Sequence, residues 1–212
     1  MVDFSLYAIT GENFHPGRDL VEVMEEAILG GADILQFRDK TSSKAEMLHK
    51  AKALRVLTRK YGIPYIVNDD VELALEVDAD GIHLGQGDMP IEEARRRVGG
   101  KIIGISTHAL EEARLAEQQG ADYIGAGPVY ATKTKADAVS PVGLSYITEV
   151  AENISIPFVA IGGIKLSNVD EVIRAGARRV CAISEIVGSD DVAGTCRAFI
   201  EKLRSEGMRE WS

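Results

Sequence analysis

Gly30–Lys40, GGADILQFRDK, carries a complete return from helix to strand. An amphipathic pattern over Asp19–Leu29 ends at the Gly-Gly pair, and a strand pattern over Ile34–Arg38 follows at once. A glycine just past a helix end turns the chain in a way that a side chain resists, so no long loop is needed. Within the strand, Leu35 and Phe37 share one side, and Ile34, Gln36 and Arg38 share the other, because successive side chains alternate. The apolar parity suits packing beneath helices. The other parity carries Gln36 and Arg38 toward the open end of the sheet, with Lys40 just beyond.

The same return recurs along the chain. QGAD stands at 119–122, AGAR at 175–178, and VDADGIHL at 77–84 is a variant. Strand patterns fall at Leu6–Thr10, Ile34–Arg38, Tyr65–Asn68, Gly81–Leu84, Ile102–Ser106, Tyr123–Ala126, Phe158–Ile161 and Val180–Ser184. Amphipathic stretches separate them, over Asp19–Leu29, Lys44–Tyr61, Ile91–Val98, Leu110–Gln119, Leu144–Ala151 and Val169–Ala175, with a last helix over Asp191–Ser205. Leu48, Ala51, Leu54 and Leu57 recur at helical spacing in the second of these. Eight strand–helix units with short links predict an α/β fold of one domain over 1–212, a closed parallel (β/α)₈ or TIM barrel rather than an open doubly wound sheet. One connection is longer, 129–142.

Composition narrows the partners. The chain has 212 residues and a net charge of −9, which disfavours nucleic acid and anionic membrane as partners. Local donors can still hold phosphate. Cys181 and Cys196 show no metal-binding or redox spacing and read as reduced, buried thiols. No run approaches the roughly 20 apolar residues of a membrane span. Met1–Thr10 reads as a strand and not as a signal peptide, so a cytoplasmic location is expected. A homo-oligomer is left open.

Barrel sites lie at the C-terminal ends of the strands. Gln36, Arg38 and Lys40 converge there, which suits an anion; the alternative is an internal salt bridge to a rim carboxylate. Asn68, Asp69 and Asp70 follow the third strand, and Asp88 follows the fourth. Asp69 and Asp88 on adjacent strand ends fit a Mg²⁺ site completed by water and phosphate oxygens. Asp88 could equally cap the helix ahead of Met89-Pro90, and Asp70 could cap the helix after it. Gly104 and Ser106 are small and share a parity, which leaves room inside the barrel, and Ser106 is a candidate donor. His108 reads either as an acid–base group or as a helix-start histidine, and His83 as structural. Thr132, Lys133, Thr134 and Lys135 stand in the long loop, which either closes over an anion or hangs free. Gly162–Gly163, with Ile183 and Ser184, forms the usual phosphate position of this fold. No nucleophile elbow, phosphate-binding P-loop or dinucleotide fingerprint is present.

In order along the chain, QFRDK (36–40), VNDDVELALEVDADGIHLGQGDMP (67–90), IGISTH (103–108), GADYIGAGPVYATKTKADA (120–138), PVGL (141–144), IPFVAIGGI (156–164) and AIS (182–184) resemble the thiamine-phosphate synthase family. That family joins 4-amino-5-hydroxymethyl-2-methylpyrimidine diphosphate to a thiazole phosphate, carboxylated or not, and releases diphosphate. The resemblance implies that the 36–40 stretch, Phe37 and Asp39 included, binds substrate. It implies that Gln36, Arg38, Lys40, Asn68, Ser106 and Lys135 hold the pyrimidine diphosphate, with Arg38, Lys40, Ser106 and Lys135 acting in catalysis. Thr132, Lys133, Thr134, Gly163, Ile183 and Ser184 would face the thiazole phosphate. Asp69 and Asp88 would ligate Mg²⁺. Asp70 and Ala131 depart from the residues that many members carry there, Arg and Pro. The rival readings are a thiazole tautomerase-like barrel, a regulatory metabolite-binding barrel and a sugar-phosphate isomerase. The first would lack the diphosphate and metal residues, and the last would need an acid–base pair at the rim.

Overall fold

A computed structural model of the chain describes residues 3–132, 134 and 139–209, with side chains as far as Ser205. Eight parallel strands close into a barrel in sequence order, β1 (Leu6–Ile9), β2 (Ile34–Phe37), β3 (Tyr65–Asn68), β4 (Gly81–Leu84), β5 (Ile102–Thr107), β6 (Tyr123–Ala126), β7 (Phe158–Ile161) and β8 (Val180–Cys181). Closure rests on Leu6 opposite Val180 and Tyr7 opposite Cys181. Around the barrel run α1 (Leu20–Leu29), α2 (Lys44–Tyr61), α3 (Val71–Glu76), α4 (Ile91–Val98), α5 (Leu110–Gln118), α6 (Gly143–Asn153), α7 (Val169–Arg174), α8 (Ile183–Val187) and α9 (Val192–Arg209). Among the described residues, no helix is long and apolar enough to cross a membrane.

The repeated Ala-Asp before alternate strands has a physical use. Asp33 accepts the Ser5 and Leu6 amides at 2.9 Å, just where β1 begins. Asp80 accepts the Tyr65 amide at 2.8 Å at the start of β3, and Arg55 holds its other side. Asp122 accepts the Ile103 amide at 2.8 Å within β5 and pairs with Arg95. Each acid stands ahead of an even-numbered strand and clips the base of the odd-numbered strand before it. The strand-edge amides near the barrel floor are thereby satisfied, as buried backbone donors must be.

Helix ends follow their caps. Asp19 accepts the Val21 and Glu22 amides ahead of α1, and Ser43 with Glu46 forms a reciprocal capping box ahead of α2. Gly62 ends α2 in the left-handed region, at φ 68°.

The eighth strand is shorter than expected. It stops at Cys181, and Ile183–Val187 coil into α8 where Val180–Ser184 reads as one strand. Ile183, Ile186 and Val187 are all buried, so this apolar run satisfies a helix packed on the barrel end as well as it would a strand. The short helix α3 also adds to the expected set, and Asp70 caps it through the Leu73 amide at 2.9 Å. The space expected beside Gly104 is filled. A Cβ there would stand 2.1 Å from Cζ of Tyr123, so the glycine admits that ring to the barrel interior.

Candidate functional site

A cavity opens at the C-terminal ends of the strands, and its inner end is neutral. Gln36 is 2% exposed, and its Nε2 donates to the Tyr7 hydroxyl at 2.9 Å. The Tyr7 and Tyr123 hydroxyls meet at 2.8 Å. The Tyr123 hydroxyl lies 2.9 Å from His83 Nδ1, and His83 Nε2 lies 2.9 Å from Ser106 Oγ. Five side chains from β2, β1, β6, β4 and β5 thus form one hydrogen-bonded chain across the barrel. Gln36, His83, Tyr7 and Ser106 line the cavity. Burial pushes both phenols well above the ordinary tyrosine range, so both keep their protons at neutral pH.

His83 and the two tyrosines are the site groups that the sequence did not disclose. For His83 a signal existed. It alternates with Ile82 and Leu84, so it has the inward parity by which Gln36 and Arg38 were recognised. Tyr7 and Tyr123 stand among apolar neighbours and carry no comparable mark.

The rim above is charged. Arg38 lines the cavity mouth, and its guanidinium makes no ion pair among the described residues. Its backbone is pinned by Thr10, whose Oγ1 accepts the Arg38 amide at 2.8 Å and donates to the Arg38 carbonyl at 2.9 Å. Lys40 follows the salt-bridge alternative and pairs with Asp69. Asp69 sits at the end of β3 with φ 59°, an uncommon backbone for a residue with a side chain. Burial raises the Asp69 carboxyl above the ordinary range; the nearby Asp88 carboxylate raises it too, and Lys40 opposes both. Asp69 and Asp88 are therefore neighbours, as a shared cation requires.

The cap reading of Asp88 does not hold. Pro90 precedes α4 without any side-chain cap, and Asp88 instead reaches back to accept the Gly85 amide at 2.6 Å. Asp69 and Asp88 are too few to enclose a cation alone, and no cluster of three or more metal-binding side chains occurs among the described residues. Two carboxylates fit Mg²⁺, which keeps waters and takes phosphate oxygens.

The other expected residues divide. Thr132, Thr134, Gly163, Ile183 and Ser184 line the same cavity. Thr132 Oγ1 accepts the Thr134 amide at 3.2 Å. Gly162 and Gly163 take φ of 100° and 64°, and a Cβ on Gly162 would stand 2.4 Å from Pro128. These glycines let the end of β7 run against 128–131, where Tyr130 donates its amide to the Gly162 carbonyl at 3.0 Å. Lys133 and Lys135 lie outside the described residues. Asn68 ends β3, half-buried and away from the cavity lining.

Three members of the 36–40 stretch are absent from this cavity's lining, Phe37, Asp39 and Lys40, the last two lining an adjoining hollow with Arg38. Phe37 is 2% exposed and belongs to the hydrophobic core, as its apolar parity requires. Asp39 turns to its own loop. It accepts the Thr41 amide at 2.9 Å and the Ser42 amide at 3.0 Å, and Lys50 Nζ donates to it at 3.0 Å. His108 stands just before α5 and also lines the cavity. Its amide donates to Glu112 at 2.7 Å, and its Nδ1 donates to the Gly127 carbonyl at 2.6 Å, since a carbonyl only accepts.

The chain matches known proteins along nearly all its length. Residues 6–186 match the family model described as thiamine monophosphate synthase. A curated relative from Halalkalibacterium halodurans, named thiamine-phosphate synthase, is 63% identical, covering 98% of this chain and 99% of the relative. One of the same name from Shouchella clausii is 60% identical over 96% and 98%. Among solved structures, a thiamine phosphate pyrophosphorylase from Pyrococcus furiosus superposes with a TM-score of 0.88 at 40% identity, covering 96% of both chains. A hydrogen-bonded inner cavity beside charged strand ends thus accompanies a family match over most of the barrel, and the chain belongs to the thiamine monophosphate synthase family of transferases.

Proposed function

We propose that the chain joins an aminopyrimidine-methyl diphosphate to a thiazole phosphate, forming thiamine phosphate and releasing diphosphate. The observation that carries this reading is the division of the cavity. Its inner end offers only uncharged hydrogen-bonding groups, which suits a heteroaromatic ring. Arg38 lines its mouth, and Lys40 with the Asp69–Asp88 pair stands on the neighbouring strand ends, which suits a diphosphate with Mg²⁺.

In this reading Gln36 and Ser106 hold the pyrimidine, and Asn68 assists from the end of β3. Arg38, Lys40 and Lys135 bind the diphosphate oxygens. Lys40 leaves Asp69 for the diphosphate once the carboxylates hold a cation. Thr132, Lys133, Thr134 and the backbone amides of Gly163, Ile183 and Ser184 receive the thiazole phosphate. Asp69 and Asp88 hold Mg²⁺, which when bound neutralises charge on the diphosphate.

The C–O bond from the ring CH₂ to diphosphate breaks, and its electron pair leaves with the diphosphate oxygen. The electron-rich aminopyrimidine stabilises the cation left behind. The thiazole nitrogen then gives its lone pair to that carbon. No protein nucleophile is needed, so the tasks of the chain are alignment and stabilisation of the leaving group.

The purified protein is expected to release diphosphate only when both substrates and Mg²⁺ are present. Release from neither pair would overturn the reading, and turnover of a thiazole alone would favour the tautomerase alternative. Asp88→Ala is expected to raise the Mg²⁺ concentration for half-maximal rate by tenfold or more, on the order expected for losing a ligand. Mn²⁺ binding, followed by electron paramagnetic resonance without substrate, is expected to weaken in parallel. Unchanged Mn²⁺ binding would remove Asp88 from the metal site.

A further inference from the structure

The hydrogen-bonded chain under the cavity has a direction. Gln36 Nε2 is directed at Tyr7, and an amide nitrogen only donates. The Tyr7 hydroxyl has therefore received a proton and turns its own toward Tyr123, 2.8 Å away. In the same sense Tyr123 would point its proton at His83 Nδ1, 2.9 Å away, where Nδ1 is the bare nitrogen. With Nδ1 accepting, the imidazole proton lies on Nε2, which donates to Ser106 Oγ at 2.9 Å. Ser106 has then accepted one bond, and its own proton is left to turn into the cavity it lines. Each hydroxyl has a single proton to give, and the run from Gln36 to Ser106 is self-consistent in this direction.

We propose that Tyr7, Tyr123 and His83 form a relay that leaves the Ser106 proton free to donate to the bound ring and so favours a ring nitrogen bearing a lone pair. An aminopyrimidine meets this condition, since neither of its ring nitrogens carries hydrogen. The corresponding oxopyrimidine carries hydrogen on one ring nitrogen, and there it would leave the Ser106 proton without its acceptor. His83 and the two tyrosines are positioning residues, acting through Ser106. Gly104 belongs to the device as well, because only its missing side chain lets the Tyr123 ring reach His83. The phenols suit the task because burial keeps them protonated, so neither becomes an acceptor only. The substrate class rests on the activity proposed above, whereas the relay itself does not.

The test reads the two separately. Long-range ¹H–¹⁵N correlation spectra of the ligand-free protein, assigned against His83→Gln, are expected to show His83 protonated at Nε2 and bare at Nδ1. Tyr123→Phe removes the Nδ1 donor of the relay and is expected to give a mixture of both tautomers. In the same variant, the preference in kcat/KM for the aminopyrimidine diphosphate over its oxo analogue is expected to fall about tenfold or more, with KM for the thiazole phosphate unchanged. Tyr7→Phe, the milder change, is expected to loosen the tautomer in the same sense should Tyr123→Phe not fold. A wild-type His83 protonated at Nδ1 would reverse the chain and overturn the relay. So would a Tyr123→Phe protein with unaltered tautomer and unaltered preference. Absence of turnover in the wild type would instead overturn the proposed activity, and the tautomer would still decide the relay.

Discussion

Asp39 shows how one side chain in a stretch expected to bind substrate can be held by its own loop. It sits between Arg38 and Lys40, yet its carboxylate is spent on the Thr41 and Ser42 amides and on Lys50. Burial pushes its carboxyl up, but the donors from Ser42, Thr41 and Lys50 outweigh burial and hold it well below the ordinary range. A carboxyl lowered by folding stabilises the fold above its unfolded value, about 4, and that contribution is lost as pH falls through the lower folded value. Asp39→Ala is therefore expected to cost about 1–3 kcal/mol near neutral pH, the range for hydrogen bonds to a charged group. The difference from wild type in urea unfolding should shrink below about pH 4. A constant difference down to pH 3 or so would show that the loss is one of packing, not of charge. Arg38 and Gln36 were legible from parity alone. Asp39 was not, because an acid in a loop looks the same whether it faces a ligand or its own backbone.

Elements were legible wherever one period ran long enough. The span of α2, Lys44–Tyr61, reads directly from its spacing, because four apolar residues recur on one face and Ser43 caps it. Ile183–Val187 did not, since a short wholly apolar run fits a strand or a buried helix equally. The contact between β5 and β6 was half legible. Gly104 announced a space but not its occupant, since Tyr123 comes from another strand and only the register, Gly104 opposite Tyr123, brings them together. Gly104→Ala is expected to destabilise the barrel by about 1–3 kcal/mol through overpacking, since neither the strand backbone nor the enclosed ring can yield easily. Its thermal midpoint should fall, and its turnover should fall further than that of a surface variant of equal stability, because a displaced Tyr123 leaves His83 without its donor. Equal stability to wild type would show that the ring has another place to go.

Across the whole molecule, the closed barrel was legible from eight strand–helix units with short returns, whereas the residues that close it were not. Closure itself lies in two pairs between β1 and β8. The acidic clips at the floor bear on how the chain could be divided. Asp33, Asp80 and Asp122 each bind the strand just before their own, so β1 with β2, β3 with β4, and β5 with β6 are joined twice, by the sheet and by a carboxylate. A break at the exposed Gly99–Gly100 link falls between two such pairs and severs none of these carboxylate bonds. A break at Gly62, by contrast, falls between β2 and β3 and also spares them, whereas one at Asp78, between β3 and β4, parts Asp80 from Tyr65. Co-expressed fragments 1–99 and 100–212 are therefore expected to reassociate and recover a folded barrel, measured by circular dichroism and size exclusion. Fragments 1–78 and 79–212 are expected to do so less well. The floor of the barrel thus gives the chain a grain of two-strand modules, along which it can be cut, permuted or recombined.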